Sequence, residues 1–165
     1  FKFRVLSDEN DSFIRDYDVE YDMNLLDFHK YICSDLNYDP SSGASFFTSD
    51  PNWEKHQEYT LFDMEDENED APIAMEKVTL GQIIHKNNDR LIYVFDLFGD
   101  RALFLELLAT SKADDGKHYP ATILSENEPP HQFDAALTEA QGSIFDEAFE
   151  EFGGFDGDDY YDDEF

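Results

Sequence analysis

Residues 90–108, RLIYVFDLFGDRALFLELL, decide the fold class. Arg90 to Phe98 is nearly continuously apolar apart from Asp96, and Ala102 to Leu108 is so apart from Glu106. Short apolar runs rich in β-branched and aromatic residues read as strands buried on both faces. Gly99-Asp100 between them is turn chemistry, so the two runs form a hairpin in the middle of a sheet.

Working outward, the N-terminal segment alternates Phe1-Phe3-Val5 against Lys2-Arg4, and then Phe13-Arg15-Tyr17-Val19-Tyr21 against mostly acidic neighbours. Period-2 alternation predicts two half-buried strands, joined across the polar stretch Ser7 to Ser12. Leu25, Phe28, His29, Ile32 and Leu36 then fall on one face of a helix, with Asn24 as N-cap, Asp27 in the first turn, and Asp39 to Gly43 as the stop. Two β-compatible runs follow, Ala44 to Thr48 and Glu58 to Met64, and then an acidic loop from Glu65 to Asp70. Thr79-Leu80-Gly81-Gln82 has the capping-box pattern and opens a short second helix. Tyr119 to Leu124 adds an edge strand before Pro129-Pro130. The expected fold is α+β: a mixed, largely antiparallel sheet with two helices, in an element order that resembles a β-grasp.

Charge divides the chain. Of 40 Asp and Glu residues, 12 lie in residues 134–165, which hold no Lys or Arg; the other 28 acids and 11 bases give residues 1–133 a charge of −17. We therefore expect one α+β domain over residues 1–133 and an acidic, aromatic tail over residues 134–165, disordered or ordered only on a partner. Ile144, Ala148, Phe149 and Phe152 share one helical face before Gly153-Gly154. A net charge of −29 opposes binding to nucleic acid or to an anionic membrane, and no apolar run approaches the roughly 20 residues that span a bilayer. Cys33 is the single cysteine, which favours a reducing, cytoplasmic setting.

The same residues carry a family resemblance. Phe3-Arg4-Val5, the helix segment Leu25 to Ile32, Tyr93-Val94-Phe95-Asp96, Phe98-Gly99-Asp100, Glu106, Tyr119-Pro120 and Pro129-Pro130 occur in this order. In that order the chain resembles the Ri-plasmid ORF-three-like family, also labelled the passenger TnpR family of insertion elements. The resemblance implies an α+β fold and an association with plasmids or mobile elements, but no settled activity. Leu97 interrupts the family's Tyr-x-Tyr-Asp-Phe-Gly-Asp pattern, and the Trp usual after it is absent. Glu128 to Gln132 stands where the family has a Cys-containing, Gly-rich segment. The resolvase label finds no support, since a recombinase needs a nucleophile and several cations around the scissile phosphate.

The candidates for chemistry are Asp96, Asp100 and Glu106 around the hairpin, with His29 from the helix. Neighbouring carboxylates bind divalent metals or share a proton, which would suit a metal-assisted hydrolase. Register decides: a Gly99-Asp100 loop sends Asp96 and Glu106 to opposite faces, whereas a Gly99–Arg101 loop sets both on one face. Against this stands a structural role, with Asp96 capping a turn or pairing with Arg90 or Arg101, Asp100 in the turn itself, and His29 satisfied in the core. Cys33, one turn after His29, does not complete a zinc set. The acidic runs 65–70 and 156–164 lack EF-hand order, so only weak divalent cation binding and no cofactor is expected.

The most distinctive signal is Asp158-Asp159-Tyr160-Tyr161-Asp162-Asp163-Glu164-Phe165, which resembles over a few residues the C-terminal tip of bacterial single-stranded-DNA-binding proteins. Carboxylates steer such a segment to a cationic surface, and Phe165 with its free carboxylate anchors it there. The leading expectation is thus a non-enzymatic interaction module whose tail recruits a basic protein, such as a DNA-binding protein. A nucleic-acid mimic is a variant of that reading, in which carboxylates stand for phosphates.

Overall fold

A computed structural model of the chain describes residues 1–133. The chain divides into two units, Phe1–Gln132 and Phe133–Phe165. The helical face at 144–152 and the acidic segment 158–165 lie outside the described residues.

The first unit is built on one eight-stranded sheet. β1 (Lys2–Ser7) and β2 (Ile14–Asp18) form the N-terminal hairpin, and α1 (Leu25–Leu36) follows. β3 (Ser45–Ser49) and β4 (Lys55–Thr60) make a second hairpin, and the two-residue β5 (Ile73–Ala74) leads through a 3-10 turn, Met75–Lys77, into α2 (Leu80–Ile83). β6 (Arg90–Asp96), β7 (Arg101–Ala109) and β8 (Ala121–Glu126) complete it. The strand order is β5-β4-β3-β6-β7-β1-β2-β8, antiparallel throughout except for β4 with β5. The fold is therefore α+β with a mixed, mostly antiparallel sheet and two helices. The hairpin-helix-strand order is the expected one; in the pairing, β1 runs antiparallel to both its neighbours, β2 and β7.

Helix α1 forms where its apolar spacing predicts. Asn24 caps it, its side chain accepting from the Asp27 N–H at 2.8 Å. The stop comes earlier than Asp39: Asn37 takes a left-handed conformation, φ 59°, and its N–H closes on the Cys33 carbonyl. The buried face of α1 covers one side of the sheet, with Phe28 packed against Phe3 and Tyr17 and stacked on Phe46 at 5.7 Å. Burial of such side chains is the main favourable term, roughly 1.5–3 kcal/mol each.

Helix α2 opens with the anticipated cap, the Thr79 N–H donating to Gln82 Oε1 at 2.9 Å. A Cβ on Gly81 would stand 2.3 Å from the Tyr21 ring, so a side chain there would displace that exposed ring. Tyr21 itself is exposed and outside β2, where the alternation placed it in the strand. Strand β4 also differs from expectation. It is the polar run Lys55–Thr60, and Phe62 and Met64 of the anticipated run are exposed.

No helix among the described residues is long and apolar enough to cross a membrane.

Candidate functional site

The hairpin β6–β7 has a register other than the two considered from sequence. Val94 pairs with Ala102, a bulge intervenes, and Asp96 pairs with Arg101, so that Leu97 to Asp100 form the loop. Asp96 closes this loop by accepting from the Gly99 N–H at 3.1 Å, and Asp100 takes φ 48°. Leu97, the residue that interrupts the family pattern, is half exposed, and Phe98 is almost fully so.

Each candidate carboxylate is held by a different cation. Asp96 Oδ2 lies 3.4 Å from Arg101 Nη1. Asp100 Oδ1 accepts from Lys55 Nζ at 2.6 Å on the exposed surface. Glu106 Oε2 lies 3.3 Å from Arg90 Nε. Because Asp96 is opposite Arg101, Glu106 stands five positions further along β7 (101 to 106), roughly 17 Å away at ~3.4 Å per residue. Asp96 and Glu106 do not share a site. His29 is fully enclosed on the α1 side and joins neither. Among the described residues, no three His, Cys, Asp or Glu side chains are placed to hold a metal ion.

His29 instead heads a buried polar chain. Its Nε2 is 2.9 Å from the Pro40 carbonyl, an acceptor only, so Nε2 carries the proton. Nδ1 then accepts from the Tyr93 hydroxyl at 2.8 Å, and Cys33 Sγ lies 3.4 Å from the same oxygen. Desolvation lowers the His29 pKa despite the favourable Pro40 carbonyl, and burial raises those of Cys33 and Tyr93. All three are neutral, satisfied groups that join α1 to β6.

Two further polar assemblies were not legible in the sequence. Asp35 of α1 accepts from Tyr17 of β2 at 2.7 Å and from Thr122 of β8 at 2.8 Å, with Arg15 Nε 3.4 Å away. Arg15 also donates to the carbonyls of Glu126 and Asn127, so it links the end of the edge strand to Asp35 of the helix. At the other end, Arg101 binds Glu9 at 2.9 Å and donates to the carbonyls of His131, at 2.7 Å, and Gln132, at 3.2 Å, while lying over the Phe95 ring. Tyr38 donates to the Pro130 carbonyl, and Gln132 pairs with the Asp39 backbone through both amide atoms. The segment that stands in place of the family's Gly-rich stretch is thereby fixed to the loop after α1.

Among the described residues, these polar side chains join the strands of a mostly antiparallel sheet to the helix and loops that pack against it. The chain belongs to the plasmid pRiA4b ORF-3-like protein family, whose model matches residues 1–138. Its fold is similar to that of a solved protein of unknown function from Methanosarcina mazei Go1, with a TM-score of 0.66 and 15% identity, covering 100% of this chain and 92% of that one. No curated protein matches the chain.

Proposed function

We infer that the protein is a non-enzymatic interaction module, associated with plasmids or mobile elements, that recruits a basic protein through its acidic C-terminal segment. The observation that carries this is the charge partition: residues 134–165 hold 12 acids and no Lys or Arg, with Tyr160, Tyr161 and Phe165 set among the carboxylates. A block of one sign steers encounter with the opposite sign, and the aromatic side chains supply the anchoring contact area. The reading is supported by the hairpin as well, where Asp96, Asp100 and Glu106 are each paired with a separate cation. A cytoplasmic setting goes with it, because Cys33 serves as a packed neutral thiol.

The test uses the full chain and two variants of it. One neutralises Asp158, Asp159, Asp162 and Asp163 to Asn and Glu164 to Gln; the other replaces Tyr160, Tyr161 and Phe165 by Ala. The native chain is expected to retain a basic protein from a lysate, released by rising salt, and both variants to lose it. Competition by duplex DNA for that partner identifies the mimic variant of this function. Equal capture by all three chains, or none by any, refutes the reading.

A further inference from the structure

We propose that the cleft at the ends of β1 and β2, bordered by the connection from β7 to β8, binds a short peptide by its two charged ends, with an aromatic side chain between them. The inference rests on the described residues and is independent of the acidic segment.

Strand order makes the cleft. In the order β7-β1-β2-β8, the chain leaving β7 passes the ends of β1 and β2 to enter β8. Where that connection meets Phe1, Lys2 and residues 18–22 there is a cavity of about 660 Å³. Small-ligand sites occupy roughly 300–1,000 Å³. The borders are tied down by hydrogen bonds. The Asp114 N–H donates to the Tyr119 hydroxyl at 3.0 Å, the Lys117 N–H to the Asp114 carbonyl at 3.0 Å, and the Phe1 nitrogen to the Val19 carbonyl at 3.0 Å.

Charge selects the ligand. All four arginines, Lys55 and Lys77 are held in ion pairs. Among the described residues the other five lysines are not, and three of them, Lys2, Lys112 and Lys117, line this cavity. Asp18, Glu20 and Asp22 line it too, and among the described residues none of them pairs with those lysines. Asp114, on the lysine side, accepts from the Gly116 N–H at 3.0 Å. Register accounts for the separation. Lys2 lies opposite Ala109 of β7 on one side and Asp18 of β2 on the other, so Lys112 and Lys117 follow from one flank and Glu20 and Asp22 from the other. Those flanks are two strand spacings apart, roughly 10 Å.

Two sets of opposite charge that line one cavity without meeting suit a ligand that carries both signs. An extended peptide of three residues spans roughly 10 Å, which sets its ammonium at the acids and its terminal carboxylate at Lys112 and Lys117. Lys2, between them, is a donor for a carbonyl of the ligand. A free amino acid is too short to reach both flanks, a bare anion meets the carboxylates, and a bare cation meets the lysines. Tyr21, 64% exposed and edge-on to Phe1 at 5.7 Å, and Tyr119 supply the lining for an aromatic ring.

The experiment titrates the full chain with the tripeptide Gly-Phe-Gly by calorimetry, with circular dichroism confirming the fold of each variant. Saturable one-to-one binding is expected. Affinity is expected to fall roughly tenfold when either end is blocked by acetylation or amidation, when Gly-Ala-Gly replaces the peptide, or when free phenylalanine does. Lys112→Gln with Lys117→Gln, at exposed positions, weakens binding of the free peptide and erases the difference between the free and the amidated end. Glu20→Gln with Asp22→Asn, also exposed, erases the difference between the free and the acetylated end. Such losses of discrimination separate recognition of an end from a general effect on the fold. A native chain that millimolar Gly-Phe-Gly does not saturate overturns the proposal. So does equal affinity for the doubly blocked peptide, displacement of the peptide by an equal concentration of inorganic phosphate, or a pair of folded variants that keep the native discrimination.

Discussion

The imidazole of His29 and the hydroxyl of Tyr93 meet in the core with 2.8 Å between Nδ1 and oxygen, one from the helix and one from the central strand. The Pro40 carbonyl fixes the tautomer, so the bond has one direction, from Tyr93 to His29. Replacing Tyr93 by Phe removes the donor and leaves a buried acceptor on Nδ1. The expected cost is about 1–3 kcal/mol, read as a lower urea midpoint at unchanged slope.

His29 also sets a pH dependence. Its pKa is lowered in the folded state, chiefly by burial, below the ordinary 6.5. Between that lowered value and 6.5 the unfolded chain binds the extra proton, so this group's contribution is complete above pH 6.5 and is lost as pH falls toward the folded pKa. His29→Gln keeps a donor and an acceptor without titrating. The stability of the native chain relative to this variant is expected to fall on acidification below pH 6.5 and to stay flat above it, as measured by denaturation at a series of pH values.

Arg101 is the single side chain that gathers Glu9, Asp96 and the carbonyls of His131 and Gln132. Arg101→Met preserves much of the stem packing on Phe95 but removes every one of these bonds. We expect a loss of about 1.5–3 kcal/mol, typical of bonds to a charged group, and faster amide exchange concentrated in residues 128–133. Exchange rates there equal to those of the native chain would deny Arg101 its anchoring role.

The hairpin carboxylates make a separate prediction. Since Asp96 and Glu106 are held apart by register, calcium, magnesium or manganese is expected to leave the melting temperature unchanged, and Asp100→Asn, at an exposed pair with Lys55, to do the same. A metal-dependent rise that Asp96→Asn or Glu106→Gln abolishes would show a shared site after all.

The parts of this fold that were legible in the sequence are those in which apolar spacing alone decides. Leu25, Phe28, Ile32 and Leu36 admit only one helical face, and the runs around Tyr93 and Leu105 only a buried hairpin. Register was not legible, because it turns on a bulge after Val94 and on Asp96 capping Gly99, both local hydrogen-bond choices that leave composition unchanged. Strand β4 was displaced for a related reason. Flanked by β3 on one side and by only the two-residue β5 on the other, it lies near the sheet edge and needs little apolar surface, and its polar residues Lys55 to Glu58 hid it. The alternation sets Arg15 on the apolar face of its strand, and the sequence offers Arg101 only as a partner of Asp96. Their roles as hubs depend on carbonyls more than 30 residues away for Arg101 to Gln132, and on Asp35 of the overlying helix α1 for Arg15, which no local pattern encodes.

Steering of a basic partner by acidic residues 158–164 is tested most directly by the association rate of the full chain with the captured partner as ionic strength is raised. The rate is expected to fall steeply with salt for the native chain and to be slower and nearly salt-independent for the chain neutralised at Asp158, Asp159, Asp162, Asp163 and Glu164. Identical salt dependence in the two chains would contradict it.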